Sequence, residues 1–219
     1  MWEAILFSGM YASIVSMLLT RAIEYFGGVA GGILGGMPST IIAASVGLTY
    51  ILGDDEVLIA MYITPIGMFI NCLYLYMWRI LPNHLNASYS SKRRLLLTLI
   101  ISLSVWLLGA TSLYFYNVYV TQSYINRARI SGILFYALHL VTGVYACFNH
   151  VDAPKGTQTV SLKLLIIRGF AGFVIMSTAM YFGSVNAVLG SIFSTFPVIY
   201  TTTMVSVWLA QGTQVSLGT

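Results

Sequence analysis

Charge is what this chain has least of: Asp, Glu, Lys and Arg together make up 7% of 219 residues, against 58% hydrophobic residues. Too little polar surface is left to coat a soluble globule of this size, so the chain is read as living in lipid, as one transmembrane domain over residues 1–219. Cysteine is also scarce. Cys72 and Cys147 both fall in apolar segments, with no His or Cys at metal-ligand spacing, which argues against a disulfide framework and against a metal site. Motifs for chemistry are missing too. There is no Ser/His/Asp arrangement, no zinc-protease motif, no carboxylate pair and no phosphate-binding Gly-Lys-Ser loop, so neither an enzyme nor a cofactor is expected.

What the chain does have is long apolar runs. A helix needs about 20 apolar residues to cross the hydrocarbon, and the runs divide into seven segments: Trp2–Thr20, Tyr25–Leu52, Val57–Ile80, Leu95–Tyr116, Ile130–Phe148, Leu164–Tyr181 and Val185–Gln211. The expected fold is an all-α polytopic membrane protein, because only helices and closed barrels satisfy their backbone in lipid. The opening run lacks a basic n-region and a small-residue cleavage site, so it reads as a retained span. Aromatic residues near span ends, such as Tyr74, Tyr76 and Trp78 or Tyr114, Tyr116 and Tyr119, read as interfacial anchors.

The net charge of +4 does not point to nucleic acid, because the basic residues sit at the ends of apolar segments. They read as topology signals. Arg21, Arg79, Lys92, Arg93, Arg94, Lys155, Lys163 and Arg168 collect on one side, and only Arg127 and Arg129 on the other. That bias makes the first side cytoplasmic, with the C-terminus inside and the N-terminus and the acidic Asp54-Asp55-Glu56 loop outside.

Two stretches resemble each other. Tyr25-Phe26-Gly27 is matched by Tyr181-Phe182-Gly183, and Gly31 and Pro38 by Gly190 and Pro197, each Pro being followed by hydroxyl residues in an apolar run. Spans one and two thus pair with spans six and seven. The offset of five is odd, so the copies cross in opposite senses, which is the inverted repeat of secondary transporters. Each Pro removes a backbone donor and breaks its helix, freeing polar backbone groups within the membrane.

The candidate substrate site is therefore Pro38, Ser39 and Thr40 with Pro197, Thr201 and Thr202, joined by the in-span polar residues Asn186 and His139 and by Glu24 at the edge of span two. Asn71 is a further polar residue within a span. With essentially no charge in the spans, neutral hydrogen bonding to a small polar solute or ion is expected, rather than capture of a multivalent anion. The expected function is a small transporter or facilitator, with spans three to five as scaffold or homodimer surface. The competing expectation is a non-transporting subunit or assembly factor of a membrane complex, docking a partner through the glycine face Gly27, Gly31, Gly35 and Gly28, Gly32, Gly36. Gly31→Leu or Gly35→Leu should damage folding or assembly more than Gly47→Leu, because the first two lie on that ridge.

The charge bias generates a labelling test. An engineered thiol in Lys92→Cys should stay unmodified when intact cells meet a membrane-impermeant reagent, and ready modification there would reverse the orientation.

Overall fold

A computed structural model describes residues 1–26, 39–86, 88–121, 124–148 and 161–211. Helix α1 is Trp2–Phe26, α2 Ser39–Leu52, α3 Asp54–His84 and α4 Ser91–Tyr116, which passes into a π-helical turn at Asn117–Thr121. Then come α5 Ile125–Phe148, α6 Leu162–Val185, α7 Ala187–Ser194 and α8 Val198–Gln211. No strand occurs among the described residues. Among the described residues, five stretches are long and apolar enough to cross a membrane: Trp2–Ala22, Val57–His84, Ser91–Val120, Ile125–Tyr145 and Leu162–Val185. This fits a multi-pass membrane protein. The 14 residues of α2 and of α8 rise only about 21 Å each, short of a core about 30 Å thick.

Several boundaries differ from the sequence expectation. α1 does not stop at Thr20 but carries Arg21 and Glu24 on to Phe26, so Glu24 ends the first helix instead of opening the second. Asp54, Asp55 and Glu56 form the first turn of α3 instead of a loop. Gly53 alone separates α2 from α3, with φ +87°, a left-handed value natural to glycine. Arg127 and Arg129 likewise lie in α5, with the Arg127 guanidinium 4.1 Å from the centre of the Tyr124 ring.

Helices in lipid gain little from hydrophobic burial against one another, so close packing has to hold them. α1 supplies the means. Ala4, Ser8, Ala12, Ser16 and Thr20, spaced four apart, are all buried, and this small-residue ridge runs antiparallel along α6: Ala12 and Ser16 meet Gly172, while beside the ridge Gly9 meets Ser177 and Met17 meets Gly169. A Cβ on Gly172 would stand 3.3 Å from the Ala12 carbonyl oxygen, so the two backbones nearly touch. Gly47 joins the same layer. A Cβ there would run into Ser8 and stand 2.7 Å from the Met180 methyl, so Gly47 is itself a close contact. Gly31 and Gly35 lie outside the described residues.

A second layer is built on α3, which packs against α4 and α5. Its core holds Ile63, Ile70, Tyr74 and Trp78 with Trp106 and Leu113 of α4. Tyr74 and Trp78 are fully buried, not the interfacial anchors expected; Tyr76 between them is exposed. The short α7 sits between the layers, in contact with α2, α3, α4 and α6.

α5 contains an internal control for the packing argument. A Cβ on Gly132 would collide with the backbone carbonyl of Tyr62 on α3, whereas one on Gly143 would meet nothing. Gly132→Ala should lower the melting temperature in detergent clearly, while Gly143→Ala should leave it unchanged or raise it, the helix propensity of Ala adding up to about 1 kcal/mol of stability. Equal melting temperatures would contradict the close α3–α5 approach.

Candidate functional site

The last apolar segment does not run through as one helix. Asn186 is the only residue between α6 and α7: its N–H donates to the Phe182 carbonyl, and its side-chain oxygen accepts from the N–H groups of Val188 (3.0 Å) and Leu189 (3.1 Å). It is a cap, not a ligand-facing polar group. Gly190 then passes Gly183 so closely that a Cβ on it would stand 2.6 Å from the Gly183 Cα. Gly183 and Gly190 thus serve the α6–α7 hairpin. α7 ends after eight residues, and Thr195, Phe196 and the buried Pro197 separate it from α8.

Breaking a helix inside a bundle exposes carbonyls that lipid cannot satisfy, and the residues around the break answer them. Ser194 and Thr195 turn their hydroxyls back to the carbonyls of Ser191 and Ile192, each at 2.7 Å. The Thr195 carbonyl accepts from Asn71 Nδ2 of α3 at 2.8 Å. Thr201 directs its hydroxyl to the Pro197 carbonyl at 2.7 Å. Since that hydroxyl has one proton, the Tyr74 phenol 2.8 Å away is the donor to Thr201.

α3 follows the broken segment in parallel, in a seven-residue rhythm. The Ala60 carbonyl accepts from Ser191, and Thr64 lies 3.2 Å from the same hydroxyl. Gly67 makes room for the Thr195 side chain, Asn71 and Tyr74 bond as above, and Trp78 packs edge-on against Trp208. Asn71 is buried, and its side-chain oxygen has no hydrogen-bond partner. From the other side, the Trp106 ring of α4 packs edge-on against Phe196, with centroids 4.9 Å apart.

No family model, curated protein or solved structure matches this chain. The site has to be read from its own geometry.

A second polar centre adjoins the first. Arg168 lies roughly two turns into α6 and is 3% exposed. Its guanidinium donates to the Thr20 hydroxyl of α1 (3.3 Å) and to the Thr202 carbonyl of α8 (3.4 Å), and Ser16 reaches the Arg168 carbonyl at 3.5 Å. This corrects the expectation of spans almost without charge, in which Arg168 merely marked a cytoplasmic end. The small side chains of the α1 ridge leave space for the guanidinium, and two of its donors reach the neutral oxygens of Thr20 and Thr202.

Of the residues singled out from sequence, the structure brings Pro197 and Thr201 together at the break. Thr202 bonds its own helix at the Val198 carbonyl and meets Arg168 through its backbone. His139 sits elsewhere, 3.5 Å from the Cys72 thiol on the α3–α5 seam, while Thr142 turns back to its own helix. Pro38 lies outside the described residues. Ser39 and Thr40 open α2, but their side chains and that of Glu24 are likewise outside. Sequence reasoning missed Tyr74, Thr64, Ser191, Thr195 and Trp106 as parts of one seam. The signal was there in the seven-residue spacing of Ala60, Gly67 and Tyr74, and of Thr64, Asn71 and Trp78.

The hydrogen bonds rank two substitutions. Tyr74→Phe removes a donor from a hydroxyl that keeps its bond to Pro197, so it should cost about 0.6 kcal/mol, as is typical between membrane helices. Asn71→Leu strands the Thr195 carbonyl and should cost more, about 1–3 kcal/mol. Denaturation in mixed micelles measures both, and the reverse order would contradict the assigned partners.

Proposed function

We propose that the chain is a small secondary transporter or facilitator, with its solute path at the broken last segment. One observation carries this reading: the segment breaks inside the bundle at Thr195–Phe196–Pro197, and neutral polar groups of α3 surround the broken end. Discontinuous helices at such depth are where transporters place their substrates, and irregular backbone is tolerated there only where protein or a hydrated path covers it.

The inverted repeat extends the proposal to the other half of the chain. α1 and α6 lie antiparallel, face to face, as equivalent helices of opposite direction would. Each repeat proline is followed at once by a helix of 14 residues, Ser39–Leu52 after Pro38 and Val198–Gln211 after Pro197. On this reading the two broken segments complete a count of seven spans, and the parallel course of α3 and α8 agrees with spans three and seven running in the same sense. The N-terminus would then be extracytoplasmic, as the basic residues suggest. Ser39, Thr40 and Thr201 would face a common path, and Arg168, tying α1 and α6 to α8, would hold the two units in register.

Purified chain in liposomes provides the test. Thr201→Val and Thr40→Val keep the side-chain shape and delete a hydroxyl, so each should slow uptake of small polar solutes; because Thr201→Val also strands the Pro197 carbonyl and should lower stability, uptake is compared per folded, monodisperse chain reconstituted. Uptake by both variants equal to that of the unmodified chain, or no uptake by the unmodified chain, would favour the docking-subunit reading.

A further inference from the structure

The groups left without partners around the break define what it would bind. Along the inward face of α4, Thr98 Oγ1, Ser102 Oγ and Trp106 Nε1 are buried with no hydrogen-bond partner, and Asn71 Oδ1 on α3 is a fourth such atom. Spacing of four places Thr98, Ser102 and Trp106 on one line. Two contacts orient that line: the Trp208 indole of α8 donates to Ser91 at the start of α4 (3.1 Å), and Trp106 packs on Phe196. The orphan groups therefore face the stretch of α8 from Trp208 back to the break, where Asn71 also sits.

Helix hydroxyls normally avoid this state by turning back to a carbonyl of their own helix. On the outward face of the same α4, Ser104 and Ser112 do so, bonding the carbonyls of Ile100 and Leu108 at 2.8 Å each. Thr98 and Ser102 do not. Buried polar groups without partners are few in folded proteins, and here these four share one seam beside a broken helix, with Arg94 Nε, one turn before Thr98 at the start of α4, a fifth at its far end.

We propose that this seam binds a small neutral solute that both donates and accepts hydrogen bonds, of the polyol or amide class. The inference deepens the transport reading and rests on it. Chemistry selects the class. Asn71 Oδ1 can only accept, Trp106 Nε1 can only donate, and the two hydroxyls can do either. A bare cation would meet the indole N–H with the wrong polarity, and a bare anion would meet the amide oxygen. A hydroxyl or amide group satisfies both ends at once, and the Trp106 and Phe196 rings offer apolar walls for its carbon. α4 is then part of the solute site instead of scaffold.

Liposomes holding the full chain, followed by light scattering after osmotic shock, test this with glycerol for the polyol arm, urea for the amide arm and sodium chloride as the ionic control. Glycerol or urea should enter faster than into protein-free vesicles, and sodium chloride should not. Trp106→Phe keeps a ring against Phe196 but removes the donor, and Ser102→Ala removes one hydroxyl with little change of shape. Each should slow the permeant solute about tenfold, the scale of one lost hydrogen bond; the melting temperature should be unchanged or raised in Ser102→Ala and somewhat lowered in Trp106→Phe, which loses ring volume from the core. Unaltered entry in both variants would overturn the seam as the binding site while leaving transport standing. Entry of sodium chloride without glycerol or urea would overturn the neutral class alone, and no entry of any probe into vesicles with the unmodified chain would overturn both readings.

Discussion

A peptide group stranded in hydrocarbon finds no water to bond, and each such group costs several kcal/mol. Where the last apolar segment breaks, its own hydroxyls and the neighbouring helices must answer every carbonyl it frees. Ser194, Thr195 and Thr201 return their hydroxyls to nearby carbonyls, and Asn71 crosses from α3 to take the Thr195 carbonyl. Remove the α3 groups and the break loses its covering. A continuous helix, or expulsion of the segment from the bundle, would then compete with the observed fold. Pro197 excludes the first outcome, because it lacks an N–H and clashes with the preceding turn.

The same constraint explains why packing is so close elsewhere. With no hydrophobic gain between helices in lipid, contact area at short range is what binds them. The ridge Ala4, Ser8, Ala12, Ser16 and Thr20 brings α1 down on α6, and its last member receives the buried guanidinium of Arg168. Through the Thr202 carbonyl that guanidinium also touches α8 one turn beyond the break. The α1–α6 layer and the α3–α4–α5 layer thus meet on the broken segment, one through Arg168 and one through Asn71 and Tyr74.

Membrane residence, the helical class and the interruption at Pro197 were legible in the sequence, because they follow from composition, from backbone chemistry and from the missing donor of proline. Depth within the bundle was not. Tyr74 and Trp78 sit near a span end and pass for interfacial anchors, since an aromatic residue's place along a helix does not say which way it faces. Arg168 passes for a topology signal for the same reason: only the ridge on a partner 152 residues away, at Ser16, makes room for it inside. Gly47 stands apart from the glycine runs in sequence yet lies against Ser8 and Met180 in space. The seam of Thr64, Gly67, Asn71 and Tyr74 repeats at seven, and was hidden because its members differ in chemistry while sharing a face.

On the proposed reading, the broken segment opens onto a path that water and small solutes enter. Thiol accessibility measures this most directly. In a chain with Cys72 and Cys147 replaced by Ser, a single thiol in Thr201→Cys should react with a small water-borne, membrane-impermeant reagent in liposomes, far faster than one in Leu108→Cys on the exposed outer face of α4. Equal and negligible reaction at both positions would mean that the break is sealed packing, and would contradict the account.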